Sequence, residues 1–78
     1  MEKDTKKIII ELQEIADKHL VLKNEIEFLI KEGEKIEDKL KDSDRVFSIA
    51  ESINKIMEEI EETEERYHNV LEEYKKLQ

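Results

Sequence analysis

The chain has 78 residues and a net charge of −8, with no cysteine, no proline and one glycine. A chain this short forms at most one domain, and without cysteine it can hold neither a disulfide nor a thiolate metal site. Nucleic acid and anionic membranes bind basic surfaces, so the acidic composition argues against both as partners. Since no apolar run approaches the roughly 20 residues of a membrane span, we expect one domain, residues 1–78, of a soluble, intracellular, most simply cytoplasmic protein.

A heptad repeat of isoleucine and leucine runs through the first half of the chain. Its members are spaced alternately four and three residues apart, as on the buried face of a coiled-coil helix. They are Ile8, Leu12, Ile15, His19, Leu22, Ile26, Leu29, Gly33, Ile36 and Leu40. The pattern predicts a first helix over about residues 3–40. Because the frame is unbroken at Gly33, we expect the helix to continue there and to pack closely against helix 2 or a partner. The alternatives are a kink or a break in the helix at this glycine.

The repeat loses one residue after Leu40, which predicts a turn at about residues 40–44. This segment reads Lys41-Asp42-Ser43-Asp44. Aspartate and serine side chains accept hydrogen bonds from the free N–H groups at a helix start. A second helix is therefore predicted over about residues 44–77.

The second helix has its own heptad frame. Its seam positions are Val46, Ile49, Ile53, Ile56, Ile60, Thr63, Tyr67, Val70, Tyr74 and Leu77. Glutamates 51, 58, 65 and 72 recur every seven residues and mark the face that points into water. A further apolar row, formed by Ala50, Met57 and Leu71, flanks the seam.

The two frames fit together when the chain folds back on itself. In this antiparallel register Leu12 lies opposite Val70, Gly33 lies opposite Ile49, and His19 meets Thr63 in a polar layer within the seam. The predicted fold is therefore all-α, an antiparallel two-helix coiled-coil hairpin. The alternative is a single long parallel coiled coil, a rod of about 115 Å at 1.5 Å per residue.

Apolar residues outside the seam suggest that one hairpin is not the whole assembly. Two hairpins could form a four-helix bundle, or another protein's helix could dock on the hairpin. We expect self-association as a homodimer or binding of another helical protein. The candidate contact residues are Ile10, Val21, Phe28, Ile30, Phe47 and Met57.

No residue pattern in the chain points to chemistry. Glu65 and His68 match the spacing of a helical metal-ligand pair, but Glu65 falls in the outer glutamate row. No nucleophile is placed beside a base and no glycine-rich loop could hold phosphate. His19 is interpreted as a polar seam residue that fixes the register, the alternative being a pH switch. We therefore expect no enzyme activity, cofactor, metal or small-molecule substrate.

The sequence thus favours a non-enzymatic interaction or assembly module that oligomerises through its heptad seams. The alternative is a small acidic chaperone or regulator. In that case the glutamates between residues 58 and 65 would receive a basic amphipathic helix of a client protein.

Overall fold

The chain folds into two long helices that pack against each other in opposite directions. The computed structural model describes the backbone of residues 2–77 and the side chains of residues 5–77. Helix α1 is Glu2–Glu34 and helix α2 is Ser43–Leu77. Together they form a rod of 60 × 14 × 12 Å. The predicted all-α hairpin is confirmed, and the alternative of a single extended helical rod is wrong.

The heptad residues of the two helices meet along one seam. Three of the most buried side chains are Ile15, Leu22 and Val70, and each occupies a heptad position predicted to be apolar. Ile49 Cγ2 lies 4.0 Å from where a Cβ on Gly33 would stand, so the predicted opposition of these residues is confirmed. Burial of the seam stabilises the hairpin because apolar surface leaves water, at about 25 cal/mol per Å².

Helix α1 ends at Glu34, so the predicted first helix, which continued to residue 40, is too long. Gly33 does not lie mid-helix but in the last turn. Glycine is a poor helix former. Gly33, the one glycine of the chain, does not have a positive φ. A methyl group on Gly33 would make only ordinary contact with Ile49. Gly33 therefore lies one residue before the end of α1. Its packing against Ile49 does not require a glycine at this position.

A connection over residues 35–42 replaces the predicted turn at residues 40–44. Ile36, the last apolar residue of the first frame to reach the seam, is 5% exposed, whereas Leu40 is 91% exposed. The Ile36 N–H donates to the Gly33 carbonyl at 3.3 Å. This bond spans three residues, so the turn is tighter than one of an α-helix. It allows Ile36 to pack at the end of the seam. Leu40 fits the heptad spacing but lies outside any helix, so the spacing no longer sets its direction.

Two aspartates order the rest of the connection. The Lys41 N–H donates to Asp38 Oδ1 at 3.1 Å, and the Asp42 N–H donates to the Asp38 carbonyl at 3.1 Å. The Asp42 carbonyl accepts the N–H groups of Arg45 and Val46 at 3.0 and 3.1 Å. Asp42 thus takes the position before the first helical residue, where aspartate is favoured.

Candidate functional site

The predicted polar layer brings its two residues to one groove but not into a mutual bond. His19 and Thr63 line an open groove of about 360 Å³ together with Ala16, Glu64 and Tyr67. The Thr63 hydroxyl donates to the Glu59 carbonyl at 2.7 Å, within its own helix. His19 Nε2 instead lies 3.2 Å from Glu64 Oε2. The two residues therefore share the predicted layer, but Thr63 bonds within α2 and His19 bonds between the helices.

One long edge of the hairpin carries ion pairs between the helices. Arg66 Nη2 lies 3.2 Å from Glu11 Oε1, and Arg45 Nη2 lies 3.8 Å from Glu32 Oε2. In each pair both residues flank the seam on the same side. Lys18 and Glu59 line a groove on this side together with Arg66. We call this side, with Glu11, Lys18, Glu32, Arg45, Glu59 and Arg66, the charged edge.

The opposite long edge exposes several large apolar side chains, including Leu20, Ile30 and Met57, among charged ones. Ala16 and Glu64 line one groove there, and Ile30 and Ala50 line a second groove nearer the connection. Residues one heptad away share the same helical phase, and residues three or four away lie beside them. These rules extend the edge along both helices. We call it the apolar edge, and its members are Ile9, Ala16, Leu20, Ile30, Phe47, Ala50, Met57 and Leu71.

The six predicted contact residues are all exposed, but they do not share one surface. Ile30, Phe47 and Met57 belong to the apolar edge. Phe28 lines a groove with Glu25 and Ser52, on the same side as the charged edge.

Two further predicted contact residues also lie away from the apolar edge. Val21 is one heptad before Phe28 and shares its helical phase, so it lies on the side of the charged edge. Ile10 occupies the outermost heptad position of α1, which points away from α2. Of the predicted set, only Ile30, Phe47 and Met57 can therefore contribute to one continuous interface along the apolar edge.

Two charged side chains interrupt the middle of the apolar edge. Glu64 is 61% exposed and pairs with His19, whose side chain is 25% exposed. Lys23 is exposed and lies one heptad after Ala16, on the same phase. The edge thus carries apolar residues along its length, with Glu64 and Lys23 among Ala16, Leu20 and Met57 in its middle.

Among residues 5–77, no group of three or more His, Asp or Glu side chains could hold a metal ion. Glu65 and His68 are both exposed on α2, so their spacing reflects a solvated helix face. No helix within the described range is long and apolar enough to cross a membrane.

Five members of the apolar edge were not among the predicted contact residues: Ile9, Ala16, Leu20, Ala50 and Leu71. The signal that identifies them is the heptad position flanking the seam. In an antiparallel pair, equivalent flanking positions of the two helices lie on the same side, so both helices must be read together.

No protein-family model, no curated protein and no solved structure matches this chain.

Proposed function

We propose that this protein is a non-enzymatic assembly module that associates with a second copy of itself through the apolar edge. The observation that carries the proposal is the difference between the two edges. One edge carries two ion pairs between the helices, while the other exposes Ile30, Phe47 and Met57. Large exposed apolar patches on a protein surface commonly mark sites where another protein, a membrane or a ligand binds.

The hairpin also leaves much of its surface uncovered for its size. Its accessible surface is 6615 Å², whereas a compact monomer of 9.4 kDa would have about 5,000 Å². The excess arises because two helices form a single layer, and a stable helical domain needs a second layer to cover its apolar faces. A second hairpin on the apolar edge would supply that layer and produce a four-helix bundle.

Sedimentation equilibrium over a range of protein concentrations tests this proposal. We expect the wild-type mass to approach that of a dimer as concentration rises. Ile30→Lys, on the apolar edge, should weaken the dimer by about tenfold or more, which corresponds to about 1.4 kcal/mol. Phe28→Lys is the matched control, since it changes the charge equally at an exposed apolar residue of the same helix.

The variants separate the apolar edge from exposed apolar surface in general. If Phe28→Lys weakens the dimer as much as Ile30→Lys, the contact is not confined to the apolar edge. A wild-type protein that remains monomeric at all concentrations contradicts self-association. Circular dichroism of each variant at matched concentration establishes that the helices are still formed.

A further inference from the structure

We propose that the two copies pack with opposite directions, so that the connection of one hairpin lies beside the chain ends of the other. This inference rests on the proposed self-association and adds its geometry. The observation behind it is the order of charges along the apolar edge. A two-fold axis lying in the interface, across the helices and near Leu20, relates the copies in this arrangement.

The levels of side chains along the apolar edge follow from the register of the hairpin. Ala16 and Glu64 line the same groove and therefore lie at one level. Lys23 lies seven residues further along α1, about 10.5 Å towards the connection. It shares its level with Met57, which is one heptad before Glu64 on α2. The acidic and basic groups are thus separated along the edge and not opposite each other.

Opposite packing places these charges in the same layer of the interface, diagonally across it. Rotation about an axis near Leu20 exchanges the level of Ala16 with that of Lys23. Glu64 of one copy then lies level with Lys23 of the second copy, and the contact occurs twice because the interface is two-fold symmetric. The same rotation superposes the levels of Ile9 and Ile30, so apolar residues face apolar residues at both ends.

Parallel packing would place like charges together. With the two connections at the same end, one central layer would contain both copies of Glu64. The next layer would contain both copies of Lys23. Like charges brought together in a desolvated interface cost free energy, so the charge order favours the opposite arrangement.

Charges on the rim of the apolar edge lead to the same conclusion. Lys6 and Glu34 are both exposed and lie near opposite ends of α1. Opposite packing brings Lys6 of each copy to the level of Glu34 of the other. It also brings Glu61 near its own copy at the solvated rim, where water and salt screen the repulsion. At the rim, opposite packing therefore forms two Lys6–Glu34 pairs between copies and one screened Glu61–Glu61 repulsion.

The size of the surface is sufficient for a stable dimer of this kind. A long face of the hairpin measures 60 Å by 14 Å, or about 840 Å². Standard protein interfaces bury about 800 Å² on each partner. Full overlap along the length, which both arrangements allow, is therefore adequate without any additional contact.

Distances between spin labels distinguish the arrangements. The chain has no cysteine, so Asp17→Cys and Lys31→Cys each introduce a single labelling site. The two residues are two heptads apart on the outer face of α1, away from the proposed interface. Any lateral separation between copies is therefore the same for both sites, and only the separation along the axis differs.

Double electron–electron resonance at concentrations that favour the dimer gives the result. In opposite packing the axial separation between copies is about 33 Å for Lys31 and about 9 Å for Asp17, at 1.5 Å per residue. We expect the Lys31 distance to exceed the Asp17 distance by about 10 Å or more. Equal distances overturn the inference and leave self-association intact. No dipolar signal between copies at either site contradicts self-association and the inference together.

Discussion

His19 Nε2 of α1 lies 3.2 Å from Glu64 Oε2 of α2, and the other seam positions of α1 are isoleucine or leucine apart from Gly33. Glu64 is mostly exposed, so this contact adds little free energy, as is usual for polar contacts that water can replace. We expect His19→Leu to raise the free energy of unfolding by about 1 kcal/mol, because a leucine extends the apolar seam. Urea unfolding at a fixed protein concentration measures this change.

Glu64→Gln is the control for the His19 variant. It removes the negative charge but not the seam side chain, and its effect should stay within about 0.5 kcal/mol. A large loss of stability in Glu64→Gln, or in His19→Leu, would show that the pair itself holds the helices together.

The Thr63 hydroxyl donates to a backbone carbonyl of its own helix rather than to α1. Thr63 is 6% exposed. We expect Thr63→Val to be neutral or to stabilise the hairpin by up to about 1 kcal/mol, because valine fills the same space and leaves no partner unsatisfied. Thr63→Ala should destabilise it by about 1 kcal/mol, since it removes a buried methyl group as well. A loss in both variants of equal size would mean that the hydroxyl bond is required.

Gly33 lies in the last turn of α1 and has room for a methyl group. Gly33→Ala should stabilise the protein by roughly 0.5–1 kcal/mol, because alanine loses less backbone entropy in a helix. For a domain of this size, 1 kcal/mol raises Tm by about 4–8 °C. Thermal unfolding followed by circular dichroism measures the shift, and a lower Tm would indicate that the helices approach more closely at this point.

Ile36 and Leu40 have nearly the same apolar character but opposite environments. Ile36→Ala should cost about 2–4 kcal/mol, since it empties a buried site at the end of the seam. Leu40→Ala should change stability by less than about 0.5 kcal/mol, because this side chain is exposed. Paired urea unfolding curves compare them. Equal losses would place Leu40 in the seam, as a first helix extending to residue 40 requires.

The seam was predictable from sequence because its physical basis is local and repeated. Ile15 and Val70 follow from the four-and-three spacing alone, and the antiparallel register follows from matching two frames. The end of α1 was not predictable in this way. Leu40 satisfies the same spacing as Ile36, and only the path of the connection determines which of them reaches the seam.

The difference between the two edges depends on both helices at once. Ile30 and Ala50 come from opposite halves of the chain and line one groove only after the register is fixed. Counting surplus apolar residues on each helix identified Phe28 and Met57 alike. It could not separate them, because their placement on opposite sides depends on heptad phase relative to the partner helix.

The proposal that the apolar edge is buried between copies is tested most directly by the accessibility of one side chain on each edge. Ala50→Cys lies on the apolar edge, and Ser52→Cys lies two residues away on the other side of the seam. Alkylation rates of both variants would be measured as protein concentration rises through the range of dimer formation. Burial of the apolar edge between copies should make Ala50→Cys react progressively more slowly, while Ser52→Cys keeps a constant rate. A constant rate for Ala50→Cys, or slowing at Ser52→Cys alone, would contradict it.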